Sequence, residues 1–201
     1  MLARLQELNL LADIHSDLAW SDEYRLLIER VLYSPIDALW GLPEKVGNLP
    51  LRTALAYLIW LLQLPLDAAI GMTQRLRLTN EILDSITAAY HLIQELPGSV
   101  GSRPSQITER LTSVPTMALF AVDLVSPSPE VRQIIASYLA SWQNTWPATT
   151  GDHLREMGVQ PGPQYRRLLK RLRDAWLDGE ISSEVEEKQL LHELIDRLPG
   201  A

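Results

Sequence analysis

The chain contains no cysteine. A disulfide framework, a thiolate metal site and a cysteine nucleophile are therefore excluded. No two aspartates stand one residue apart, and no glycine-rich loop follows a strand-like run. The side-by-side carboxylates that hold a metal against a triphosphate are thus missing. His15, His91, His153 and His192 are scattered and no His-Asp dipeptide occurs, which argues against a metal phosphohydrolase. Asp13 and His15 have no third ligand at helical spacing, so they are read as capping or turn residues. No serine sits in a nucleophile-elbow context. Neither catalytic residues nor metal ligands are assigned.

Long apolar runs are also absent. "TALAYLIWLLQLPLDAAIGM" is interrupted by Gln63, Pro65 and Asp67, whereas a membrane span needs about 20 uninterrupted apolar residues. It reads as a buried helix that ends near Pro65. The first twenty residues carry acids and lack the basic flank, apolar core and cleavage site of a signal peptide. A cytoplasmic protein without membrane contact is expected. Strand signals are weak too, since no alternating β-branched run is bounded by hairpin turns.

What is present is helical periodicity and an uneven charge. Hydrophobic residues make up 46% of the 201, enough for a sizeable core. Apolar stripes predict helices over 51–62, 66–76, 79–95, 105–113, 115–124, 129–145, 152–157 and 163–178. Ser21, Thr79, Ser105, Ser128 and either Thr150 or Asp152 stand where caps belong. The chain is expected to be all-α, a multi-helix body followed by a small helical tail, without a significant β-sheet. "LPGSVGSRPS" at 96–105 reads as the linker, dividing residues 1–100 from 101–201. Glu186-Glu187 reads as an exposed pair that suits a helix dipole.

The net charge is −7, which repels phosphate at long range, so any nucleic-acid site must be a local patch. Residues 1–100 hold seven basic and twelve acidic side chains, and residues 101–201 hold eleven and thirteen. The densest basic cluster lies in "GVQPGPQYRRLLKRLRDAWLDGEI", 158–181. Gly158 suits a left-handed helix end. Gly162 is read as permitting a turn no side chain could make, with Pro163 in the first helical turn. Tyr165, Leu168, Leu169, Leu172 and Trp176 form the apolar stripe. Arg166, Arg167, Lys170, Arg171 and Arg173 occupy the other faces, where like charges repel by a few tenths of a kcal/mol per pair. Either an anionic partner offsets that repulsion, or the cations face water and pair with Asp174, Asp178 or Glu180. Trp60 and Trp142 read as core. Trp40 and Trp146 adjoin loops, where stacking on RNA is open to them.

The segment "TGDHLREMGVQPGPQYRRLLKRLRDAWLDGEI" resembles the C-terminal region of bacterial tRNA nucleotidyltransferases, the family of CCA-adding enzymes and related poly(A) polymerases. The match rests on Thr150, Gly151, Asp152, Leu154, Gly158, the Pro161-Gly162-Pro163 turn, Leu169, Leu172, Asp178-Gly179 and Ile181. "LARLQELNLLADIHSDLAW" resembles the family's neck-to-body segment, with Asn9 in place of a glycine and Ser16 in place of a proline. "LRTALAYLIWLL" and "RLRL" at 75–78 resemble body helices, and "SRPSQITERL" the lead into the tail. The resemblance implies body and tail without the catalytic head, which holds Mg²⁺ and reads ATP or CTP. No cofactor is then expected in this chain. It further implies that the partner is tRNA, gripped through the backbone of its acceptor and TψC arms. Arg166, Arg167, Lys170, Arg171 and Arg173 would carry the tail contact with help from amides after Gly162, and Arg75 and Arg77 a body contact. The other reading is a helical protein-interaction or dimerisation module without RNA binding. It would use the stripe Val185, Leu190, Leu191, Leu194 and Ile195 of the last helix, and a homo-oligomer is compatible with either.

Overall fold

The computed structural model describes residues 4, 7 and 21–197. The readings of Asp13, His15 and the neck-like run fall outside the described residues. Among those described, ten α-helices account for nearly all regular structure. They are α1 (Asp22–Tyr33), α2 (Leu51–Leu61), α3 (Leu66–Arg75), α4 (Asn80–Glu95), α5 (Pro104–Leu111), α6 (Thr116–Val125), α7 (Pro129–Ala140), α8 (Gly151–Glu156), α9 (Pro163–Leu177) and α10 (Glu184–Asp196). The expected all-α class holds. One two-residue hairpin breaks it: β1 (Lys45–Val46) pairs antiparallel with β2 (Leu49–Pro50), Val46 opposite Leu49. It lies between α1 and α2, and its strands are too short for alternation to register.

The chain forms two compact units, Met1–Val100 with Ser113–Ala136, and Gly101–Thr112 with Ser137–Ala201. The sequence division at residue 100 assigned 113–136 to the second half, whereas the structure places this stretch in the first unit. The reason is apolar. Helix α6 buries Met117, Ala118, Leu119, Ala121, Val122 and Leu124 on almost every face, and Met117, Ala121 and Leu124 belong to the first unit's core. A helix this apolar has no stable place except inside the largest available core.

That core is built on α2, where Leu55, Leu58, Ile59 and Leu61 are fully buried. Each contributes on the order of 2 kcal/mol by leaving water. Prolines launch three of the apolar helices, since Pro50, Pro65 and Pro115 occupy the N-cap positions of α2, α3 and α6. Their ring-fixed φ sets the entry without a side-chain cap. Ser21 and Ser128 cap α1 and α7 as expected, accepting from Tyr24 N at 3.3 Å and Val131 N at 3.2 Å.

Thr79 differs. It holds the N-cap position of α4 but makes no cap hydrogen bond, and its Oγ1 is buried without a partner among the described residues. Its methyl group instead packs on the hairpin turn. A Cβ on Gly47, whose φ is +58°, would lie 2.4 Å from Thr79 Cγ2. Glycine is required at 47 by both conformation and close approach.

Candidate nucleic-acid interface

The second unit is built around α9. Leu168 and Leu172 are buried against Leu154 of α8 and Leu191 of α10, with Tyr165, Leu169, Leu190, Leu194 and Ile195 packed around them. The α10 stripe proposed for a partner is therefore used internally, and Val185 alone of it stays exposed, at 65%. Thr150 caps α8 by accepting from His153 N at 3.4 Å, and His153 Nδ1 accepts from Thr150 N at 3.2 Å. Helix α8 ends at Gly158, φ +80°, where Val159 N donates to Leu154 O at 3.1 Å. This is the left-handed closure expected of glycine there.

Gly162 does not behave as read. Its φ of 165° is extended backbone, and a Cβ there would meet nothing within 4 Å. The turn into α9 does not depend on glycine. Ser105 also loses its expected role, because the N-cap of α5 is Arg103 and Pro104 opens the helix. Ser105 lies inside the first turn, where its N–H and Oγ donate to Asp178 at 2.9 and 2.8 Å.

The five cations of α9 divide into two kinds. Lys170 Nζ contacts Asp174 at 3.1 Å and Glu109 at 3.3 Å. The hydrogen bond to Asp174 raises its pKa, burial opposes this more weakly, and Glu109 adds to the rise. Arg171 pairs with Glu180. Arg173 donates from Nε to Thr145 O at 2.9 Å and from a terminal nitrogen to Gln143 O at 3.4 Å. Its Cζ lies 3.9 Å from the ring centre of Trp146. By contrast, Arg166 and Arg167 are exposed and have no ion pair among the described residues.

Helices α5 and α9 flank an open groove of about 800 Å³. Thr108 and Glu109 line one wall and Tyr165, Arg166, Leu169, Lys170 and Arg173 the other, with Trp146 and Pro147 also at its edge. Three cations and two carboxylates, Glu109 and Asp174, face it. Its charge is net positive within an acidic chain.

Glu187 was read as exposed and is 1% accessible. Its Oε1 accepts from Thr149 N at 2.7 Å and from Thr149 Oγ1, and its Oε2 from Ala148 N at 3.0 Å and Trp176 Nε1. Burial pushes its pKa up, and the hydrogen bonds from Thr149, Trp176 and Ala148 outweigh that, holding the carboxyl below its ordinary value. Arg173 and Glu187 thus anchor the two ends of the segment 143–149. No spacing in the sequence pointed to Glu187, because its partners lie 11, 38 and 39 residues away.

The two loop tryptophans separate. Trp40 is half-buried, edge-on to Phe120 with ring centres 5.0 Å apart. Trp146 is 66% exposed. Trp60 is buried and Trp142 only half-buried, beyond the end of α7. In the first unit Arg75 and Arg77 are exposed near the end of α3, and Arg77 has φ +52°. Among the described residues no three His, Cys, Asp or Glu side chains converge as a metal site. No described helix is long and apolar enough to cross a membrane.

The chain is similar to a tRNA nucleotidyltransferase. The particular relative is the A-adding tRNA nucleotidyltransferase of Geobacter sulfurreducens, 25% identical over 206 residues. The alignment covers 97% of this chain and 23% of that protein, so the chain spans about a quarter of its relative's length. No family model matches, and no solved structure matches.

Proposed function

We propose that this chain is an RNA-binding, tRNA-positioning module of a cytoplasmic tRNA nucleotidyltransferase-like protein, gripping the backbone of the acceptor and TψC arms while nucleotide transfer, with its Mg²⁺ and ATP or CTP, belongs to a catalytic head. The observation that carries this reading is the pair Arg166 and Arg167, exposed on α9 and without ion pairs among the described residues, with Arg166 lining a net-positive groove. The alignment along nearly the whole chain with an A-adding tRNA nucleotidyltransferase supports it. Backbone contact needs no base reading, which suits a module that serves many tRNAs.

The test separates free from engaged cations. Each lost phosphate contact lowers the slope of log K against log salt by roughly 0.7 to 0.9. Arg166→Ala with Arg167→Ala should therefore flatten the tRNA salt slope by roughly 1.4 to 1.8 units and leave the melting temperature unchanged. Lys170→Ala with Arg171→Ala should change the slope less, because their carboxylate partners already neutralise them. Equal affinities and parallel salt plots for wild type and the Arg166/Arg167 variant would refute the proposal.

A further inference from the structure

The edge of the groove holds an aromatic ring that the unit's own core does not use. Trp146 is 66% exposed, yet its neighbours are fixed. Arg173 lies over its ring at 3.9 Å and hydrogen-bonds Thr145 O. Glu187 fixes Ala148 and Thr149 on the other side. Two buried or half-buried charged side chains therefore hold a short segment whose most prominent exposed group is an indole. Exposing an indole forgoes about 2 kcal/mol or more of burial, so a rigid, exposed one marks a contact surface.

The surroundings define what would lie there. Pro147, Tyr165, Leu169 and Leu177 make the groove apolar, and the Tyr165 ring is fixed by its hydroxyl donating to Val159 O at 2.9 Å. Lys170 is matched by Glu109 and Asp174 and Arg173 is held by the carbonyls of 143 and 145 and by the Trp146 ring, which leaves Arg166 as the groove cation with neither an ion pair nor a hydrogen bond among the described residues. A flat apolar ring attached to an anion matches this arrangement. A guanidinium on one indole face also favours an electron-rich ring on the other. An apolar peptide would leave Arg166 uncompensated.

We propose that this groove takes one unpaired nucleobase of a bound RNA, stacked on the open face of Trp146, with the adjoining phosphate on Arg166. The inference rests on the RNA-binding reading above and adds to it a preference for RNA with an unstacked base. Stacking depends little on base identity, since every base has a π-face.

The full chain is titrated with a ten-nucleotide single-stranded RNA and a blunt RNA duplex of equal length, followed by tryptophan emission. Single-stranded RNA is expected to bind more tightly than duplex and to quench an emission component that Trp146→Phe lacks. Trp146→Leu is expected to weaken single-strand binding by roughly five- to a hundredfold, with an unchanged salt slope and melting temperature, and Trp146→Phe to restore part of the loss. If Trp146→Leu binds single strand as wild type does while Arg166→Ala with Arg167→Ala weakens it, the stacking proposal is overturned and the RNA-binding function stands. If neither RNA binds the wild-type chain, both fall.

Discussion

Asp178, just beyond the C-terminal end of α9, caps the N-terminus of α5, which lies 73 residues earlier in the chain. Its carboxylate accepts from Ser105 N at 2.9 Å and Ser105 Oγ at 2.8 Å. The N-cap residue of α5, Arg103, supplies no side-chain bond of its own. A long-range carboxylate thus does the work of a local cap, and the helix dipole favours its charge. The side chain is only 8% exposed. Asp178→Ala should therefore destabilise the second unit by about 2 kcal/mol. Asp178→Asn should recover part of that, because its one carbonyl oxygen can still accept from Ser105 N. Thermal melts of both variants check the order wild type, Asn, Ala.

Glu187 should make the second unit sensitive to acid. Its pKa is held below the ordinary carboxyl value. An acid with a depressed folded pKa contributes stability that is present above its unfolded value, about 4.3, and is lost as pH falls through the folded value. Glu187→Gln removes this titration. Both oxygens accept two donors each, so a Gln NH₂ must face two N–H or O–H groups. A loss of about 3 kcal/mol at pH 7 is expected. The gap between wild type and variant in urea unfolding should narrow below pH 4.3 or so; a gap independent of pH would show that the carboxylate's charge is not what matters.

Arg77 occupies a position made for glycine. At the end of α3, Leu78 N donates to Thr73 O and Arg77 N to Gln74 O, both at 3.0 Å, with Arg77 at φ +52°. The same closure ends α8 at Gly158 and α9 at Gly179. A left-handed non-glycine residue costs about 1 kcal/mol, less what glycine loses by loosening the unfolded chain. Arg77→Gly should raise the stability of the first unit by about 0.5 kcal/mol, and Gly158→Ala should lower that of the second by about 1 kcal/mol. Denaturant midpoints distinguish the two directions. Arg77→Lys, which keeps charge and strain, serves as the control in any RNA-binding comparison.

Gly47 offers a steric test in the first unit. A methyl group there would meet Thr79 Cγ2 at 2.4 Å. Gly47→Ala should be destabilising by roughly 2 kcal/mol, from left-handed strain and overpacking together. Adding Thr79→Ser, which deletes the opposing methyl group, should recover the packing share and leave the backbone share. A double-mutant cycle on melting free energies reads the two apart.

Much of this protein is local, and its sequence alone determined that part. The helices 51–61, 66–75, 80–95 and 163–177 follow from apolar spacing at the 3.6-residue period, and Ser21, Ser128, Thr150 and Gly158 act as cap and closure because those interactions reach only three to five residues. The basic face of α9 was legible for the same reason. Tertiary structure decided what those charges do. Lys170 and Arg171 are engaged by Glu109, Asp174 and Glu180, Arg173 turns to the carbonyls of 143 and 145, and Arg166 and Arg167 remain without ion pairs among the described residues. It also moved 113–136 into the first unit, left Trp146 exposed while Trp40 packs on Phe120, and converted Glu187 from an expected surface charge into a buried acceptor. The physical reason is range. Periodicity records which face of a helix is apolar, whereas a buried carboxylate or a spare guanidinium is defined by donors and acceptors that folding brings together from distant parts of the chain.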